Sequence, residues 1–99
     1  MKNFIRVMKA LADPNRTIIL KLLQKQCLCV CEITDVIKLK QPSVSKHLKI
    51  LENAGLVSSQ KKAQRVCYKI TNGEDSPYAA AMLGNLRHWL KEAEKTGQA

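Results

Sequence analysis

Apolar residues recur along this chain with a helical period, then alternate, then return to the helical period, and that order predicts its elements. From about Asn3 to Ala12 the spacing puts Ile5, Met8, Leu11 and Ala12 on one side of a first helix. Asp13-Pro14 ends it, with Asp13 as N-cap and Pro14 as first-turn residue of a second helix reaching about Gln24, whose Ile18, Ile19, Leu22 and Leu23 turn inward. A shorter helix from Cys31 to Lys38 and a tight Leu39-Lys40 turn lead into the best-marked element. That element begins at Gln41, carries Pro42 in its first turn and has Gly55 for the left-handed position just past its end. On it Val44, Leu48 and Leu51 fall together, with Ile50 and His47 flanking them, while Ser45, Lys46, Lys49 and Asn53 fall opposite.

Two alternating runs follow, Leu56 to Gln60 and Arg65 to Thr71, joined by a basic tip Lys61-Lys62-Ala63-Gln64. Two helices across a tight turn with a hairpin behind them read as a winged helix-turn-helix, mainly α with a small β-hairpin, in a single domain over residues 1–99. After a loop from Asn72 to Pro77, a last helix from Ser76 to Lys95 carries Tyr78, Met82, Leu86, Trp89 and Ala93 as a stripe, widened by Leu83 and Leu90. That arc exceeds what so small a domain buries against itself, so the expected assembly is a homodimer through the first and last helices.

Charge tells what the exposed helix face meets. The 99 residues hold 17 Lys and Arg against 8 Asp and Glu, a net charge of +9, which calls for a polyanionic partner and leaves no room for an enzyme with a deep cleft. Double-stranded DNA fits: Lys46 and Lys49 as phosphate anchors, Gln41, Ser43 and Ser45 near the helix start as base-edge contacts, and Lys61, Lys62 and Arg65 on the flanking backbone or minor groove. His47 lies toward the core side of the reading helix and orients it. Arg16 reads as a solvated charge, with a phosphate contact as the second choice. No apolar run approaches the ~18 residues of a membrane span. Lys2, Arg6 and Lys9 interrupt any export signal, so the expected place is the cytoplasm, with no membrane partner.

In that compartment Cys27, Cys29, Cys31 and Cys67 should be thiols rather than staples. If Cys27 to Val30 is extended, the sulfurs of Cys27, Cys29 and Cys31 share one side; if the run is helical, only Cys27 and Cys31 do. Soft thiolates select soft ions, and Cys31 at a helix start has its thiolate favoured by free backbone amides, partly opposed by Glu32 and Asp35. Cys67 sits with Arg65 and Lys69 on the wetter side of its strand and becomes an alternative third donor if that strand pairs with the Cys27 to Val30 segment. Structural zinc is disfavoured because Cys-x-Cys steps replace the usual Cys-x-x-Cys knuckle. A disulfide or persulfide switch on the same fold, and a cytosolic metal-carrying or protein-docking module, are the other readings.

At Asp13-Pro14-Asn15-Arg16, the run Cys29-Val30-Cys31-Glu32-Ile33, and Gln41 to Leu48 with Ala54-Gly55-Leu56-Val57, the chain resembles the ArsR/SmtB family of metal-responsive repressors. The resemblance implies a homodimer whose apo form binds operator DNA and lets go when an inducer binds. No permanent cofactor is implied; the inducer is As(III) or Sb(III), with Cd(II) or Pb(II) behind them. It assigns the sensing role to Cys29 and Cys31 and places Ser43, Ser45, Lys46 and His47 in the DNA-reading segment. Thr34 stands where the arsenic-responsive archetype has its third cysteine, so the third ligand is Cys27 or, alternatively, Cys67. The zinc branch's last-helix site is not matched, since only His88 with Glu92 is offered there, and His88 reads as a surface histidine.

Overall fold

A computed structural model describes residues 2–71 and 77–85. Helices α1 (Lys2–Leu11), α2 (Pro14–Leu23), α3 (Val30–Ile37) and α4 (Gln41–Asn53) are joined by a sheet of β1 (Leu28–Cys29), β2 (Val57–Lys62) and β3 (Arg65–Ile70). Residues 77–85 are helical again. The helix ends follow the local chemistry. Asp13 Oδ1 accepts the amides of Asn15 at 2.8 Å and Arg16 at 3.3 Å, capping α2. Lys38 closes α3 in the left-handed region, φ 62°, with its amide on Thr34 O at 2.9 Å. Gly55, φ 79°, ends α4 in a Schellman motif: the Leu56 amide bonds Leu51 O and the Gly55 amide bonds Glu52 O, both at 3.0 Å.

The sheet is antiparallel in the order β1-β3-β2, so the short strand ahead of α3 lies on the outer edge of the wing strand β3. In the hairpin Lys61 opposes Val66 and Lys62 opposes Arg65. The wing's first strand therefore runs on to Lys62, past the expected Gln60, and the turn shrinks to Ala63 and Gln64. Lys61 and Lys62 continue the ladder because nothing in them breaks an extended chain, whereas Ala63 turns it at φ 56°.

Ile33 from α3, Val44, Leu48 and Leu51 from α4, Ile19 and Leu20 from α2 and Leu56 behind the hairpin are fully buried. This core fixes the roll of α4, burying one face and leaving the other to solvent. Two faces differ from the periodicity. On α1 the buried residues are Val7 and Ala10, while Ile5 is 41% exposed; on α2 Leu20 replaces Ile18, which is 37% exposed. Each helix has two apolar arcs, and period alone does not choose which one meets the core. The second arc of α1 has a neighbour: the Phe4 ring packs edge-on against Tyr78, centroids 5.5 Å apart, and both residues are 40% exposed. Leu86, His88, Trp89, Leu90, Glu92 and Ala93 of the expected last helix lie outside the described residues. Among the described residues no helix is long and apolar enough to cross a membrane.

Candidate nucleic-acid interface and thiol site

Burial of Val44, Leu48 and Leu51 turns Gln41, Ser43, Ser45, Lys46 and Lys49 outward, so the exposed side of α4 presents an amide, two hydroxyls and two ammonium groups in under three turns. His47 is half-buried, as expected, and its Nδ1 lies 3.2 Å from Nη1 of Arg16. That arginine is no free surface charge. Its Nε donates to Ala10 O at 2.7 Å and its Nη2 to Lys9 O at 3.0 Å, so one guanidinium closes the last carbonyls of α1 and reaches the side of α4. A cation at a helix C-terminus is favourable in itself, and the Asp13 cap sets the geometry by starting α2 two residues before Arg16. Burial alone would raise the Asp13 carboxyl, but its two amide bonds, with Arg16 and His47 nearby, together hold it below the usual range.

The wing is tied down at its base. Ser59 Oγ donates to Glu52 Oε2 of α4 at 3.0 Å, and Thr71 Oγ1 donates to Gly55 O at 2.7 Å. Lys61 is exposed, Lys62 Nζ lies 3.5 Å from Cys27 Sγ, and the Arg65 guanidinium folds back over the cysteines. Of the three wing cations expected on DNA, Arg65 and Lys62 thus both have sulfur partners.

The extended segment stops at Cys29, because α3 begins at Val30. Alternation therefore does not carry through to Cys31, and the extended geometry that would give Cys27, Cys29 and Cys31 one shared side stops at Cys29. What the fold brings together is a pair. Cys29 Sγ and Cys31 Sγ are 3.1 Å apart, Cys29 being 4% exposed and Cys31 open to solvent. The Cys29 amide donates to Glu32 Oε1 at 3.0 Å, which fixes the first turn of α3. Arg65 Nη2 donates to Cys29 Sγ and lies 3.7 Å from Cys31 Sγ and 3.6 Å from Glu32 Oε1. Burial and the bond to Cys31 push the Cys29 thiol up. The bond from Cys29, with Arg65 beside it, brings Cys31 down, so Cys31 is the first of the pair to ionise. Thr34, by contrast, spends its hydroxyl on Val30 O at 2.8 Å.

Cys67 is placed by register. β1 pairs with β3 so that Leu28 faces Tyr68 and Cys29 faces Cys67. All four cysteines are free thiols, and among the described residues no three His, Cys, Asp or Glu side chains stand in a metal-holding arrangement.

An outward hydroxyl-and-cation helix face, propped by α3 and flanked by a two-stranded wing, defines a winged helix-turn-helix regulator of the DNA-binding class rather than an enzyme. Residues 13–59 match the family described as bacterial regulatory protein, arsR family. The chain is 40% identical over 89 residues to the arsenic resistance transcriptional regulator of Pseudomonas putida, covering 85% of this chain and 69% of that one. It is 33% identical over 94 residues to the arsenical resistance operon repressor of Escherichia coli, covering 92% and 76%. The fold is similar to the homodimeric winged helix-turn-helix DNA-binding domain of a possible ArsR-family regulator from Mycobacterium bovis, with TM-score 0.75, 28% identity and coverage of 96% and 84%. This chain belongs to the ArsR/SmtB family of transcriptional repressors.

Proposed function

We propose that a homodimer of this chain represses an operon by holding an inverted-repeat operator and releases it when As(III) or Sb(III) is captured by Cys29 and Cys31. The observation that carries the reading is the thiol pair 3.1 Å apart, with Cys31 the more acidic, at the first turn of the helix that props α4. Arsenic and arsenical resistance in the names of two relatives supports the ion class. The outward Phe4, Ile5 and Tyr78, together with the homodimeric Mycobacterium bovis domain, support dimerisation through α1 and the helix at 77–85.

In the DNA-bound state one α4 from each subunit enters successive major grooves, Lys46 and Lys49 on phosphates and Gln41, Ser43 and Ser45 on base edges, with Lys61 and Lys62 on the flanking backbone. An inducer releases DNA only through a difference in its affinity for the free and bound forms, typically ~1–3 kcal/mol of coupling. Bonding both sulfurs to one ion pulls on Cys31, the second residue of α3, and so alters how α3 sets the spacing of the two reading helices.

The test is a titration of reduced apo protein on a duplex it selects from a random-sequence pool. Arsenite should release the wild type, while Cys29→Ser and Cys31→Ser variants should bind the duplex normally and stay bound. Release of both variants by arsenite, or of the wild type by oxidants alone, overturns the reading. On the same duplex Lys46→Ala should flatten the log affinity against log salt plot by about 0.9 for its lost phosphate contact.

A further inference from the structure

Resting on the reading that Cys29 and Cys31 hold the inducer, we infer that the third sulfur is Cys67 of the wing strand, not Cys27. Residues directly opposed across an antiparallel pair have Cβ atoms about 4.5–5.5 Å apart and point to the same face of the sheet. Cys29 and Cys67 are such a pair. A second contact shows the same face of β3 turned toward the thiols: Arg65, two residues before Cys67, already donates to Cys29 Sγ from it. Cys67 is half-buried with a free thiol, and the motion required for it to join the pair is a turn of its side chain toward them.

The alternatives are placed worse. Cys27 precedes β1 and lies outside its register with β3, while Thr34 has its hydroxyl on its own helix. Sulfurs 3.1 Å apart can share one ion at bonds near the ~2.3 Å of zinc–thiolate, which leaves a third position open on the side where β3 lies. The guanidinium of Arg65 lies on that side, within reach of both sulfurs. In capture of arsenous acid, each As–S bond formed replaces an As–OH bond. Each thiol proton leaves with the displaced hydroxide as water, three waters in all, and arsenic stays trivalent. Arg65 is then displaced from both sulfurs, and the start of α3 becomes bonded to the wing.

Two arsenicals separate the pair from the third donor. Arsenite has three replaceable oxygens, whereas phenylarsine oxide takes only two thiols. For the reduced full chain, Cys67→Ser should weaken arsenite binding by about a hundredfold, the loss expected when one tethered contact is removed, and leave phenylarsine oxide unchanged. Cys27→Ser should change neither. X-ray absorption should count three sulfurs around arsenic in the wild type and two in the Cys67→Ser protein. Unchanged arsenite affinity in Cys67→Ser, or a loss in Cys27→Ser instead, overturns the assignment while the two-thiol reading stands. If Cys29→Ser and Cys31→Ser bind both arsenicals as the wild type does, the underlying reading itself fails. Retained phenylarsine oxide binding also shows that Cys67→Ser has folded.

Discussion

Arg16 and Arg65 each hold a guanidinium between elements far apart in the chain, yet the acceptors they use differ in kind. Arg16 bonds two main-chain carbonyls of α1 and a ring nitrogen of α4. Arg65 bonds two sulfurs and a carboxylate at the start of α3, with 59% of its side chain exposed. No ligand can take a carbonyl away from Arg16, so that joint holds the end of α1 in every state, with the His47 ring nitrogen as its contact to the reading helix. Thiolates can be taken, and a thiophilic ion competes with Arg65 for the same lone pairs. The same residue type is a rivet in one place and a removable latch in the other, and the acceptor decides which.

The largest expected difference is in stability. Arg16→Ala should lower unfolding free energy by about 2 kcal/mol, since hydrogen bonds to a charged group count for more than neutral ones and the α1 carbonyls lose their cap. Arg65→Ala should cost distinctly less, because its guanidinium is largely exposed and its ion pair with Glu32 is screened by solvent. Urea titration followed by circular dichroism measures both. Equal losses would erase the distinction. Arg16→Ala should also bind the selected duplex more weakly, His47 having lost the group that holds it.

Much of this scaffold was legible from short-range chemistry. Pro42 and Gly55 mark α4 to within two residues, Asp13 caps α2 as expected, and the alternation after Gly55 gives the hairpin. What was not legible depends on distance. Neither Arg16 bridging α1 to α4 nor Arg65 turning from the wing to the thiols has a local signature. The one available hint was the Asp13-Pro14-Asn15-Arg16 run, which starts α2 against the end of α1. The cysteine geometry stayed open in the sequence for a related reason. Spacing of i, i+2, i+4 predicts one side only while the chain stays extended, and α3 begins between the second and third cysteines. The Cys29–Cys67 pairing needed a strand register that two residues of β1 are too short to announce.

A smaller effect concerns which thiol is charged. Cys31 is brought down first by the bond from Cys29 and then by Arg65, so Cys29→Ala should move the pH midpoint of Cys31 alkylation by iodoacetamide upward more than Arg65→Ala does. In a background with Cys27 and Cys67 replaced by serine, fragmentation mass spectrometry follows Cys31 separately from Cys29 where the latter is present. A larger shift from Arg65→Ala would make the latch, not the partner thiol, the main acidifier of the pair.

The smallest effect tests whether the Arg16 joint is indifferent to pH near neutrality. Asp13 has its folded pKa lowered below the ordinary 3.8 by the amide bonds and nearby cations that outweigh its burial, so it binds its proton less readily folded than unfolded. The stability it contributes is therefore fully present above the unfolded pKa and is lost as pH falls through that value toward the folded one. Nothing in this joint should change between pH 6 and 8 from Asp13. Asp13→Asn keeps an oxygen for the Asn15 and Arg16 amides, and Asn and Asp are near-equal caps, so at pH 7 the loss should stay within about 0.5 kcal/mol. As pH falls below the unfolded value the variant should converge on the wild type, the convergence being complete only once pH lies below the lowered folded value and the wild-type carboxyl is protonated in both states. Glu32, whose carboxyl is also lowered, chiefly by the Cys29 amide, remains in the variant and leaves a residual acid slope. A wild-type advantage that persists unchanged at pH 2 would mean that Asp13 acts through shape rather than charge, and that the fixed joint owes nothing to its ionised cap.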